Sequence, residues 1–346
     1  MGMTLGMTGV TLQISLAPTD YPHARHILPH QLRQWASQVD EILLVVDLHK
    51  SRSGRFAAAW AERRPLLAQL VAESCAQYGH ARAVEVDYTP NAAARVAATF
   101  FGGRPVPTKD LRGGPFYSYF FALDAATHPL VLHADSDILF GGGAKTWAAD
   151  ARRLLDADPT VLVCSPLPGP PTADGRLVSQ RAERYPAPFV AYRFPHVSTR
   201  IFALDRARFR ERIGALRATR PGLRGRVRAT LQGMPAYDLP ENILSRAMHA
   251  HGLARVDFLG TAPGMWSLHP PHRSALFYEQ LPAVIARVEA GDMPDAQRGC
   301  YDINDALVDW SSARDALAAR PWWQRAARAM VGNPHVRPRE TQSHET

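Results

Sequence analysis

The stretch Pro129-Leu-Val-Leu-His133-Ala-Asp135-Ser-Asp137-Ile-Leu-Phe140 decides the reading of this chain. Its first half is a short apolar run, the pattern of a strand buried on both faces. Its second half sets two carboxylates two residues apart at the carboxyl end of that strand. Open α/β sheets bind their ligands outside the carboxyl ends of the strands. Two carboxylates there can share one divalent cation, and oxygen ligands suit Mg2+ or Mn2+, ions that usually hold phosphate oxygens as well. The spacing alone carries little, because 21 aspartates in 346 residues give about one such pair by chance. A second pair, Asp156-Ala-Asp158, ends a helical stretch before Pro159, where aspartates serve as cap and turn residues, and it reads as structural.

Working outward, the pattern alternates strand and helix. Apolar runs predict strands over 11–16, 41–47, 83–87, 129–134, 161–165, 200–204 and 254–259. Helical spacing predicts helices over 26–37, 63–78, 115–126, 147–156, 207–216 and 240–251. The alternation argues an open, mostly parallel α/β sheet. After about residue 271 the pattern is helical only. No internal repeat of fixed period is present.

Composition narrows the class. The chain is 46% hydrophobic and 21% charged, ordinary globular values that exclude collagen, coiled coil and disorder over the whole length. No apolar stretch approaches the ~20 residues of a membrane span. Residues 1–9 have neither the basic region nor the apolar core of a secretory signal, and three scattered cysteines make no disulfide framework. Both point to a cytoplasmic protein. The net charge is +8, but 37 of the 40 basic residues are arginines, which together with abundant alanine and proline reads as genome bias rather than nucleic-acid binding. The exception is 206–228, with nine arginines and the single acid Glu211. It offers a place for an anionic acceptor or an anionic membrane, with a solvated face as the bland alternative. A Trp/Arg segment from Pro321 adds a short amphipathic stretch of the same ambiguity.

The opening strand, Glu41-Ile-Leu-Leu-Val-Val-Asp47, and the run into Asp135-Ser-Asp137 together resemble the GT-A glycosyltransferases, in style the broad family 2 group, over roughly residues 10–270. The resemblance implies one GT-A domain, Rossmann-like, with a nucleotide-sugar half at 10–140 and an acceptor half at 160–270. Around it stand a flexible 1–9, a helical extension at 271–331 and a disordered 332–346. It implies a nucleotide-sugar donor, foremost a UDP-sugar, with Mn2+ or Mg2+ on its diphosphate. Asp137 would be the main metal ligand, and Asp135 would face ribose and metal beside Ser136. Asp47, Ala17 and Pro18 would approach the nucleoside. GT-A enzymes often complete the metal site with a histidine after the last strand, and His269 fits, with His272 as alternative.

The remaining candidates follow from chemistry. A departing nucleoside diphosphate needs its charge neutralised, which a divalent ion does as a Lewis acid. Lys109, Arg112 and the backbone N–H groups near Gly113 and Gly114 lie before a Tyr-rich helix and could hold phosphate oxygens, or form an ordinary surface turn. Family 2 proteins often open a helix with an acidic pair, one acid taking the acceptor proton. Here Glu241 opens such a helix, with Asn242 where the second acid is common and Asp238 as the substitute base; first-turn acids also simply favour the helix dipole. Trp266 could stack on a sugar or nucleobase, or sit in the core as the plainer reading. Two other functions stay open. A sugar-phosphate nucleotidyltransferase lacks its Gly-rich basic signature after the first strand, and a non-catalytic GT-A-like binding protein is kept alive by Asn242.

Overall fold

The computed structural model describes residues 9–51 and 59–319. Strands β1 (Val10–Leu16), β2 (Glu41–Val46), β3 (Ala81–Glu85) and β4 (Leu130–Asp135) run parallel in the order β3-β2-β1-β4. Strands β6 (Val161–Pro168) and β10 (Ala254–Phe258) form a second parallel pair. Between the two groups lies β9 (Ile201–Asp205), antiparallel to both β4 and β6. Antiparallel β8 (Ala191–Phe194) and β7 (Glu183–Arg184) finish the far edge. The short strands β5 (Leu139–Gly141) and β11 (Trp266–Leu268) pair with each other, and β11 also joins β6. The fold is thus the α/β sheet that the alternation of elements predicts, parallel in β3-β2-β1-β4 and β6-β10 and antiparallel where β9, β8 and β7 join.

Period two along the strands sorts side chains onto two buried faces. On β2, Ile42 and Leu44 enter one core while Leu43 and Val45 enter the other; on β4, Leu130 and Leu132 oppose Val131. Helices α1 (Tyr21–Trp35), α2 (Trp60–Gln77) and α5 (Trp147–Ala157) pack on the first face. There Trp35 sits edge-on to Phe140 and Trp147, which stacks on Phe258 at 4.6 Å. Helices α3 (Pro90–Phe101), α4 (Tyr117–Ala125), α6 (Arg206–Arg212) and α8 (Pro240–Ala250) cover the other face around Phe100, Phe101, Phe116, Phe120 and Phe209.

Differences from expectation have local causes. Helix α1 starts at Tyr21, five residues early, because Pro22 suits a first turn. Helix α6 stops at Arg212, since Gly214 (φ +68°) turns the chain and its N–H closes onto Phe209 and Arg210 carbonyls. Helices α3 and α7 (Leu223–Leu231) and strands β5, β7, β8 and β11 have no counterpart in the expected elements. Past β11 the chain is not helical only. Between α9 (Ala275–Ala290) and α10 (Ser311–Ala318) it returns to the sheet, where His269 bridges Asp302 and Ile303 N–H donates to the His269 carbonyl at 2.9 Å. Trp310, buried, locks that return by donating to the Ile303 carbonyl at 2.8 Å. The segments 320–346 and 1–8 lie outside the described residues.

Candidate active site

The loop after β4 is held from below and behind. Gln31 of α1, fully buried, donates to the carbonyls of Asp135 (2.8 Å) and Ile138 (2.9 Å), and Asp135 N–H donates to the Arg200 carbonyl at 2.7 Å. This clamp fixes where the two carboxylates stand. Asp135 Oδ1 accepts from the Tyr119 hydroxyl at 3.1 Å and lies 3.3 Å from His133 Nε2. Ser136, buried, is hydrogen-bonded to His23 of α1 at 3.1 Å.

Asp137 is the buried member, only 5% of its side chain exposed. Its Oδ2 takes the Arg273 guanidinium at 2.5 Å, and its Oδ1 has no hydrogen-bond partner among the described residues. His269 Nε2 stands 3.9 Å from Asp137 Oδ2, while its Nδ1 is held by the Asp302 carboxylate at 2.8 Å. A carboxylate on the far nitrogen fixes which nitrogen faces the site, the support that metal-ligating histidines usually have. Burial would raise the Asp137 pKa, but Arg273, His269 and His23 outweigh it and hold the carboxyl well below its usual range. Arg273 reaches on to Asp20 at 3.5 Å. Burial pushes the Asp20 carboxyl up to about 6 against the pull of Arg273, and pushes His23 down to about 3. A second guanidinium, Arg200, carries its charge beside Asp135, Asp137 and Asp302, which together with Tyr301 raise its pKa despite burial. Tyr301 stacks on His269 and keeps a buried hydroxyl without a partner among the described residues.

Among the described residues, no group of three or more His, Cys, Asp or Glu side chains converges as a metal cage. Mg2+ does not demand one, since it is usually bound by one or two carboxylates together with substrate phosphates. The buried, partnerless Asp137 Oδ1 and the oriented His269 fit such a partial site.

The residues expected to approach a nucleoside are engaged within the protein. Asp47 follows β2 and its carboxylate is fully engaged: Lys109 Nζ at 2.8 Å, the Tyr88 hydroxyl at 2.9 Å and the His49 N–H at 2.9 Å. Lys109 is thereby committed to Asp47 and buried. The N–H groups expected to be open near Gly113 and Gly114 are satisfied instead. Gly113 donates to the Asp110 carbonyl, and the N–H groups of Gly114 and Arg112 donate to its carboxylate. The cause is that Asp110 folds the turn around itself, as aspartate does. A Cβ on Gly114 would lie 2.9 Å from that carboxylate, so the position needs glycine. Ala17 and Pro18 form the turn after β1, tied by Asp20 to the Ala17 N–H at 2.9 Å. A cavity of about 520 Å3 opens beyond Lys109, between His49–Ser51, Thr108 and Gly233–Pro235.

At the start of α8, where an acceptor was expected, Asp238 is wholly occupied. It takes Leu239 N–H, Asn242 Nδ2 at 2.7 Å and Arg246 Nη1 at 2.8 Å. Asn242, where a second acid was looked for, is thus the partner that helps anchor the start of α8. Glu241 stands in the first turn of that helix, half-buried. Leu111 N–H donates to the Tyr237 carbonyl at 2.9 Å, joining this helix start to the Lys109 loop. Arg206 and Arg208, from the arginine-rich segment, bond to main-chain carbonyls including those of His128 and Val161, so these two are structural. Asp158 caps its turn through Thr160, and Trp266 is buried core, both as expected.

Sequence reasoning missed Asp20, His23, Arg200, Arg273, Tyr301 and Asp302. Only Asp20 and Arg273 sat near places already singled out, in the turn after β1 and four residues past His269.

No protein-family model and no curated protein matches the chain. It is similar to the crystal structure of GalNAc-T7 with UDP, GalNAc and Mn2+ at 11% identity and TM-score 0.41, over 82% of this chain. The chain spans about half, 49%, of that protein's length. It is also similar to residues 1–349 of S. aureus TarS with UDP-GlcNAc, at 13% identity and TM-score 0.40, over 84% of this chain and 69% of that one. A third is the mannosyltransferase PcManGT from Pyrobaculum calidifontis with GDP-Man and Mn2+, at 15% identity and TM-score 0.34, over 94% of this chain and 75% of that one.

Proposed function

We propose that the chain is a glycosyltransferase that moves a sugar from a nucleoside-diphosphate donor to an acceptor hydroxyl or amine. The carrying observation is the buried Asp137, with one oxygen unpartnered, beside a His269 whose far nitrogen is fixed by Asp302. A buried carboxylate without a full set of partners is costly, and a cation shared with a ligand removes the cost. Asp137 and His269, with Asp135 alongside, would hold Mn2+ or Mg2+ together with the donor diphosphate, and the ion would supply Lewis-acid neutralisation of the departing phosphate charge. Arg200 and Arg273 flank the acids and would add guanidinium contacts to the same oxygens. The nucleoside would lie along Ala17, Pro18 and Asp47 toward the cavity beside Lys109. Asp47 serves there through its Lys109 pair, which presents a neutral wall.

Glu241 would take the acceptor proton. Asp238, saturated by Asn242 and Arg246, would position the helix that carries it. A carboxylate already accepting several hydrogen bonds is a weak base.

A thermal-shift panel of UDP-, GDP-, dTDP- and CMP-sugars, each with and without Mn2+, tests the reading. One nucleotide class raises the melting temperature, because a ligand of the native state stabilises by mass action. Asp137→Ala abolishes the metal-dependent part of that shift and leaves the fold intact. A flat panel, or an unchanged shift in Asp137→Ala, overturns the site. Glu241→Gln retains donor binding and lowers turnover by roughly 10²- to 10⁴-fold; full turnover removes Glu241 as base.

A further inference from the structure

Helix α7 is inside out. Its one fully buried residue is Ala229, while Leu223 is 69% exposed, Val227 52% and Leu231 82%. Of five large apolar side chains exposed among the described residues, three are these. They recur every fourth position, so at 3.6 residues per turn they share one face, an arc of about 80°. Arg226 borders that arc on one side, with Arg224 on the other, both exposed. A solvated helix face would show the reverse, polar groups outward and leucines inward.

We propose that the α7 face docks on an anionic membrane surface. Apolar side chains flanked by arginines are what an interfacial helix presents, the leucines entering the acyl boundary and the guanidiniums meeting lipid phosphates. Charge complementarity selects the partner. The segment from Arg206 to Arg228 holds nine arginines and one acid; Arg206 and Arg208 are spent on main-chain carbonyls and Arg228 donates to the Gln232 side chain, while Arg224 and Arg226 are exposed. No helix among the described residues is long and apolar enough to cross a membrane. The docking itself does not depend on the transfer reading. If that reading holds, the consequence is an acceptor presented at the membrane, because α7 runs directly into Gly233–Pro235, which line the cavity.

Flotation of the full chain with vesicles of phosphatidylcholine, alone or with one-third phosphatidylglycerol, tests this. The expected result is capture by the anionic vesicles only, released by added salt. Leu223→Ser/Val227→Ser/Leu231→Ser and, separately, Arg224→Glu/Arg226→Glu each lower capture at least about tenfold. Both keep the native melting temperature, since the replaced side chains are exposed. No capture of the native chain overturns the proposal. So does undiminished capture in both variants, which would move the contact elsewhere, such as residues 320–346. A native dimer that the serine variant dissolves would assign the face to a second copy, and would also overturn it.

Discussion

Asp302 is the side chain on which the proposed metal site turns without itself joining the acids of β4. It holds His269 Nδ1 at 2.8 Å and so aims Nε2 toward Asp137. Removing such a partner typically costs 10- to 100-fold in metal affinity. Asp302→Ala is therefore expected to need roughly 10- to 100-fold more Mn2+ for the same donor-induced thermal shift; an unchanged Mn2+ requirement would deny Asp302 the role. Asp135 and Asp137 were legible because they follow a strand directly, and a strand end is a place that sequence can read. Asp302 was not, because it reaches the site across a return of the chain that no local pattern encodes. Lys109 and Asp47 show the other limit. Sequence marks both as charged groups near the donor, but not that they neutralise each other at 2.8 Å.

Helix α9 is fastened to α1 through the Glu289 carboxylate, and the protonation states there follow from the neighbours. Phe140 N–H donates to His30 Nε2 at 3.0 Å, so the neutral ring carries its proton on Nδ1 and donates to Glu289 at 2.7 Å. Arg33 adds a second donor. The His30 bond, followed by Arg33 and offset by burial, holds the Glu289 carboxyl down at about 2. A depressed carboxyl stabilises the fold above its unfolded pKa and loses that contribution as pH falls toward the folded value. Glu289→Ala should cost about 1–2 kcal/mol at neutral pH, allowing for solvent screening of a partly exposed group. The gap from the native chain should narrow as pH drops from about 4.5 toward 2. Urea unfolding at several pH values reads it, and a pH-independent gap would refute the assignment. The long elements were legible for a physical reason: β2 and β4 are apolar runs and α5 has a clear one-sided stripe. Strands of two to four residues, such as β7 and β11, offer no period to read.

At the scale of the molecule, the site is assembled from both ends of the described chain. The turn after β1 gives Asp20, and the return after α9 gives Asp302, with Trp310 as its buried bolt. Trp310→Ala is expected to cost about 3–5 kcal/mol, as for other buried Trp truncations. It should also abolish the metal-dependent part of the donor shift, because Asp302 goes with the segment; a destabilised variant that keeps the full shift would separate the two. The sheet has its own asymmetry, since β9 lies between β4 and β6 although it is made after both. Among the described strands, the amino-terminal and carboxyl-terminal groups meet only through it. During synthesis the edges of β4 and β6 therefore stand open until Asp205 has left the ribosome, and open edges recruit other chains. A nascent chain stalled before Ile201 would be a sticky fragment rather than half of a fold, and holding by a chaperone would matter most in that interval.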